Sequence, residues 1–315
     1  MHEEKNQITP SKNTGSNEYF YTVVRIPTWE LARNCGKYLH KGWVFRGQAD
    51  ATWLLSSTIE RSAKRQNYDM PKLIHNSEDF MLNQFIRRAH HYLHDPPKEE
   101  RKLEWLSLIQ HHGGPTRLLD FSRSFYIASF FAVENTISNF VVWAVNSSKL
   151  VEQFQNAHQL NKRLKKFSLG KLIEEAMDRA IGKTDQNKMI LPVEPFRINE
   201  RMSIQKGLFL THMDISTSFI ENLAESFGQP VSIFKSQEEK EITSPKGLQM
   251  QNLLGVIIKM IIPINCRKAA LDDLLDMNIS PTSLFPGLDG FARSLHSYFS
   301  IFQQSPEESD KYFSK

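Results

Sequence analysis

Helical and strand-like periods succeed one another along the chain without regular alternation. "TWELARNCGKYL" reads as a helix: Thr28 can cap it, and Leu31, Cys35, Tyr38 and Leu39 fall on one side. "WVFRG" reads as a strand ending in a turn. "DFMLNQFIRRAHHYLH" is predicted to be a helix stopped by Pro96 and Pro97. Its Phe80, Gln84, Arg87, Arg88 and His91 form either a basic polar side or an ordinary solvated face. "KEERKLEWLSLIQHH" is a second helix, with acidic residues in its early turns and Leu103, Leu106, Ile109 and Gln110 facing inward. The chain breaks at Gly113-Gly114-Pro115 and resumes in a buried helix from Ser124, where Ala128, Ser129 and Ala132 permit close packing. "FVVWAVN" is a central strand.

Residues 147–190 are expected to form a mostly helical insertion with a basic patch, "NKRLKKF". "RMSIQKGLFLTH" has strand-like alternation on both sides of Gly207, "KSQEEKEITSPKG" is a charged loop and "GVIIKMIIP" a strand. "CRKAALDDLLDMN" is an amphipathic helix, and "SLFPGLDGFARSLHSYF" a turn and terminal helix. The order disfavours a doubly wound parallel sheet. The expected fold is α+β, a mixed central sheet with flanking helices. One domain spans 18–303, between a flexible tail at 1–17 and a polar tail at 304–315.

Composition narrows this picture. With 21 Phe and 5 Trp in 315 residues, general disorder is excluded. The net charge of +4 is compatible with a nucleic-acid or nucleotide partner without specifying one. Cys35 and Cys266 form neither a CxxC nor a zinc spacing, which implies no metal site and a reduced, cytoplasmic setting. The N-terminal stretch has no apolar core of a signal peptide. No apolar run reaches the ~20 residues of a membrane helix, so no membrane partner is expected.

Two stretches carry chemistry. Arg46 lies in a strand directly before Gly47, and a guanidinium there requires an anion or water. It is either half of a structural ion pair or a ligand-binding group. "QHHGGPTRLLDFS", residues 110–122, follows a helix and concentrates functional groups at a glycine junction where backbone can approach a ligand. Arg117 and Asp120, three apart, are either partners of each other or ligand-facing. His111 and His112 are adjacent and therefore point in different directions, which makes joint ligation of one metal unfavourable.

These stretches resemble the FRG domain family, whose Phe-Arg-Gly is Phe45-Arg46-Gly47 here, followed by Gln48, Trp53, Leu55 and Arg61. The family's most specific motif, QHxGxPTRLLDxT, is matched by Gln110, His111, Gly113, Pro115, Thr116, Arg117, Leu118, Leu119 and Asp120, with Ser122 in place of threonine. "IASFFAVE", then Arg201, Gln205, Gly207 and Phe209, then "LFPGLDGFARSL" extend the resemblance over about residues 43–295.

The family occurs in bacterial and phage-associated proteins in settings of toxins or antiviral defence. Its separated motifs are, more loosely, similar in order and type to those of ADP-ribosyltransferases. This second resemblance implies an ADP-ribosyltransferase-like sheet and NAD as co-substrate. Arg46 would bind the pyrophosphate through paired hydrogen bonds, within a cofactor-binding set of Arg46, Gly47, Gln48, Gln110, Gly113, Thr116, Arg117 and Ser122. Thr116 and Ser122 would hold the nicotinamide amide or ribose hydroxyls. Phe121 or Tyr126 would stack on the ring or pack in the core. The implied catalytic set is Arg46, His111, Thr116, Asp120 and Gln205. Gln205 cannot act as a base, and Glu200 would face the other side of a strand, which leaves Asp120 as the alternative carboxylate. The acceptor would be nucleic acid, RNA favoured by "NKRLKKF" and "FIRRAHHYLH", or protein, and a toxin implies a neutralising antitoxin partner. Two further readings stay open: a nuclease or other phosphoester hydrolase using His111 and Asp120, and a non-catalytic nucleotide-sensing or interaction module.

Overall fold

The computed structural model describes residues 21–39, 41–67, 70–157, 168–181, 187–228, 239–248 and 256–297. In chain order its strands are β1 (Thr22–Arg25), β2 (Trp43–Gln48), β3 (Leu118–Ser122), β4 (Phe140–Asn146), β5 (Ile190–Val193), β6 (Gly207–His212), β7 (Lys240–Glu241) and β8 (Ile257–Ile262). Among the described residues these form one mixed sheet in the order β5-β6-β3-β2-β4-β8-β1-β7. β1 runs parallel to β7 and β8, and every other pairing is antiparallel. The architecture is α+β, as expected. No helix among the described residues is long and apolar enough to cross a membrane.

Helices cover both faces, so the central strands are buried on both sides. This explains why "FVVWAV" in β4 and "IIKMII" in β8 read as continuous apolar runs rather than alternating ones. On one face, α1 (Trp29–Tyr38), α5 (Phe125–Val133) and α10 (Arg267–Asp276) pack on Phe45, Val142, Ala144 and Met260. On the same face of the other half of the sheet, α3 (Met70–Ala89), α4 (Lys102–His111) and α7 (Leu169–Ala180) pack on Leu118, Leu191 and Phe209. On the opposite face, α9 (Phe219–Glu225) packs on Leu119, Phe121 and Leu208, beside Val44 and Trp143.

Several elements follow the local signals. Thr28 caps α1, and Ser124 caps α5, each accepting a hydrogen bond from a first-turn amide. The buried side of α1 is rotated from the expected one, with Trp29, Ala32 and Cys35 inward and Tyr38 exposed. α3 ends at Ala89 rather than at Pro96, and α4 begins at Lys102. The charged loop contains the short edge strand β7. The expected insertion does contain two helices, α6 (Ser147–Ala157) and α7. "NKRLKKF" and the two tails lie outside the described residues.

The region before Gly207 is a correction. Residues expected to be strand form a short helix, α8 (Glu200–Ile204), capped by Asn199. Gln205 is its C-cap and Lys206 has φ of 47°, a left-handed residue that ends the helix and turns the chain into β6. Gln205 and Glu200 are therefore not strand residues, and the face argument that separated them does not apply.

Candidate active site

The site begins where β2 and β3 meet. These strands share one ladder pair, Phe45 with Ser122, whereas β2 pairs with β4 along its whole length. In the resulting gap, Arg46 Nη1 donates to the Asp120 carbonyl oxygen at 2.7 Å. The guanidinium stands in for a missing strand neighbour, since a strand carbonyl without a partner is costly. Its side chain is only 19% exposed, and its other contact with Asp120, to the carboxylate, is long at 4.0 Å. The buried Nε has no hydrogen-bond partner among the described residues. Burial pushes the Arg46 pKa down to about 10; Asp120 opposes the shift and Arg61 adds to it.

Asp120 is the exposed residue of β3, with its side chain 61% accessible between buried neighbours. Its Oδ2 accepts a 2.8 Å hydrogen bond from Gln110 Nε2. The Gln110 amide is oriented by two hydroxyls: Thr116 Oγ1 donates to Gln110 Oε1 at 2.6 Å and Thr58 Oγ1 at 3.0 Å. Because both hydroxyls occupy the amide oxygen, the amide nitrogen must face Asp120. Gln110, Thr116 and Asp120 thus form one relay from the core to the cleft.

A cavity of about 210 Å³ lies over this gap, lined by Arg46, Gly47, Asp120, Ser122, Arg201 and Gln205, among others. A smaller one of about 90 Å³ adjoins it and adds Gln110, His111 and Asn199 while sharing Asp120, Arg201 and Gln205. Cationic charge dominates. Burial lowers the pKa of Arg61 and of Arg201, and in both cases Asp120 pulls the other way. His111 is held below the ordinary histidine range, first by burial and then by His112 and Arg201. One exposed carboxylate therefore shares the cavity with two partly desolvated guanidinium groups, Arg46 and Arg201. Such a site favours an anion. Among the described residues there is no group of three or more His, Cys, Asp or Glu side chains that could hold a metal ion.

The motif residues that build this cleft fall within a recognised module: residues 41–139 match the FRG domain family. The chain carries an FRG domain. The match runs from β2 through α5 and ends before Arg201 and Gln205, which reach the cleft from α8. Neither a curated protein nor a solved structure matches the chain.

Within the FRG domain, only part of each motif faces the cleft. Gly47 answers to packing: a Cβ there would sit 1.8 Å from the Ala128 carbonyl oxygen and 2.7 Å from the Ala132 nitrogen of α5. Gln48 is a structural residue, accepting from Trp143 Nε1 at 2.7 Å and donating to the Leu54 carbonyl at 3.3 Å. Gly113 adopts φ of 80°, which accounts for glycine by backbone conformation alone.

Arg117 requires the largest correction. It pairs neither with Asp120 nor with a cleft ligand. Fully buried, it donates through Nε to both carboxylate oxygens of Glu78 in α3, at 2.8 and 3.0 Å, and through Nη1 to the carbonyls of His212 and Met213. It fastens α3 to the end of β6. Thr116 is likewise inaccessible and acts on the cleft only through Gln110. Ser122 lines the cleft, but its hydroxyl already donates to the Gln205 carbonyl at 2.7 Å and accepts from the Ser124 amide. Gln205 lines both cavities while its Nε2 donates to the Leu284 carbonyl at 3.0 Å. Phe121 is a core residue whose edge borders the cleft, and Tyr126 packs beside the α5 core.

Arg46, His111, Asp120 and Gln205 therefore converge, Gln110 and Thr116 support them, and Arg117 and Gln48 do not join them. Arg201 is a cleft cation absent from the expected site, and Arg61, which donates to the Ser56 carbonyl, adds its charge from outside the cavity lining. Both already stood in the motifs quoted for the family, which was the available signal.

Proposed function

We propose that this FRG domain is an NAD-dependent ADP-ribosyltransferase acting as an intracellular toxin or defence effector, with a nucleic-acid acceptor. The observation that carries the reading is that Arg46, Arg201, Asp120 and Gln205 line one cavity over the β2–β3 gap. NAD fits this donor set: its pyrophosphate needs paired N–H donors, and two guanidinium groups, Arg46 and Arg201, line the cavity. Bound NAD supplies an electrophilic ribose carbon and a nicotinamide that departs with the bonding electron pair.

In this reading the chain's own residues do the remaining work. Arg46, with Arg201, holds the diphosphate. Asp120, the carboxylate held by Gln110, faces the positive charge that develops on the ribose and takes the acceptor's proton. His111, neutral at physiological pH, is a second proton acceptor beside it. The toxin and acceptor assignments rest on the family resemblance and on basic surface charge.

The test is incubation with NAD carrying label in the adenylate phosphate, with nicotinamide release followed in parallel. Label on a macromolecule with stoichiometric nicotinamide supports the proposal. Because His111 and Asp120 line one cavity, a phosphoester hydrolase is the second reading; strand cleavage with intact NAD would favour it. Binding of NAD with neither product would leave a nucleotide sensor and overturn both.

A further inference from the structure

On the far side of the Gln110–Pro115 loop lies a second concavity, of about 570 Å³, lined by Phe80, Phe85, Arg88, Tyr92, His112 and Pro115, among others. Its walls are apolar, yet Arg88 lines it and Arg87 is exposed beside it. Phe80 is 63% and Tyr92 82% exposed, far more than aromatic rings need be in a packed domain. Arg87, Arg88, His90, His91 and His94 are also exposed, and residues 87–94 contain no carboxylate. The next one, Asp95, is paired with Arg197 at 2.7 Å. The rings of His90 and His91 lie 3.9 Å apart between centroids, tilted by 42°, beside Tyr92.

We propose that this groove binds single-stranded nucleic acid. Flat faces of Phe80 and Tyr92 suit unpaired bases, and Arg87, Arg88 and the histidine cluster suit the phosphates between them. An apolar protein partner would be recognised by the walls but would gain nothing from Arg87 and Arg88 beside them. The groove is tied to the cleft through consecutive residues at the end of α4. His111 lines the cleft, His112 lines the groove, and their rings lie 5.0 Å apart. A strand in the groove is thereby delivered to Asp120. That delivery role rests on the transferase reading, whereas binding itself does not.

The experiment uses the full chain without NAD, fluorescein-labelled 12-mers of uridylate and thymidylate, and polarisation at 50 and 200 mM salt. The expected result is binding weakened at least tenfold by the higher salt. The Phe80→Ala/Tyr92→Ala double variant, exposed enough to leave the melting temperature unchanged, is expected to weaken binding at least tenfold at either salt. Arg46→Gln is expected to bind as the unaltered chain does. Tighter binding of uridylate identifies RNA as the source, and equal binding identifies single strands in general; either ranking sustains the proposal. Absence of salt-sensitive binding would overturn it, as would a double variant that binds normally. Loss in Arg46→Gln alone would also overturn it by putting the strand in the cleft. Normal oligonucleotide binding by a protein that never consumes NAD would sink the transferase reading and leave this one standing.

Discussion

Gln110 reaches the Asp120 carboxylate with its amide nitrogen, 2.8 Å away, because Thr116 and Thr58 hold the amide oxygen from behind. Removing the hydroxyl of Thr116 lets the amide turn. Thr116→Val is expected to lower turnover about tenfold with little change in KM and to cost about 1 kcal/mol of stability. Thr116→Ser should recover most of both. Steady-state kinetics and denaturant unfolding check this, and equal losses for Val and Ser would show that the relay is not what matters.

Arg46 is desolvated without full compensation, so its charge serves binding at the expense of the fold. Arg46→Gln is expected to reduce NAD turnover by a hundredfold or more, about 2.7 kcal/mol, while the melting temperature stays level or rises. The sign follows from linkage. A guanidinium lowered to about 10 in the folded state is protonated at a greater cost there than in the unfolded chain. Between about 10 and the ordinary arginine range the unfolded chain therefore holds more protons, and this group's contribution to stability grows with pH.

Pyrophosphate or ADP-ribose should stabilise the unaltered protein. At ten times Kd the expected gain is about 1.4 kcal/mol, a melting shift of a few degrees. Arg46→Gln should show no such shift in differential scanning fluorimetry.

Arg117 and Glu78 form a buried pair remote from the cleft chemistry. Arg117→Met is expected to cost about 3–5 kcal/mol by leaving the Glu78 carboxylate buried without its partner. Adding Glu78→Leu should return a large part of that loss, since the second change removes the orphaned charge. Chemical denaturation of the two variants measures both steps.

His111 titrates below the ordinary histidine range because it is partly desolvated and lies near His112 and Arg201. Its imidazole should remain neutral as pH falls past the usual histidine value. In Arg201→Gln one opposing charge is gone, so the His111 pKa should rise. Histidine-selective NMR titration reads this directly, and an unchanged or lower value would contradict the charge layout of the cleft.

Strong local signals made much of the fold legible. Thr28 and Ser124 announced helix starts, and the apolar runs at 140–145 and 257–262 were strands buried on both faces. β3 was hidden inside the functional motif, where Arg117 and Asp120 looked like loop chemistry. α8 escaped because five residues followed by a left-handed lysine leave no helical period to detect. Of the site, Arg46 and Asp120 were readable, but the pairing of Arg117 was not. Its partner lies 39 residues away in helix α3, and short-range spacing carries no information about such a contact.

The single rung between Phe45 and Ser122 makes the sheet two stiff panels meeting at a seam. On one face the panels have separate helical backing, while on the other a shared apolar layer of Val44, Trp143, Leu119 and Leu208 spans the seam. A guest lodged in the seam would stitch the panels together. Occupancy would add to the cohesion that the shared layer already gives, and amide protons on both sides of the join should slow in concert when the guest arrives.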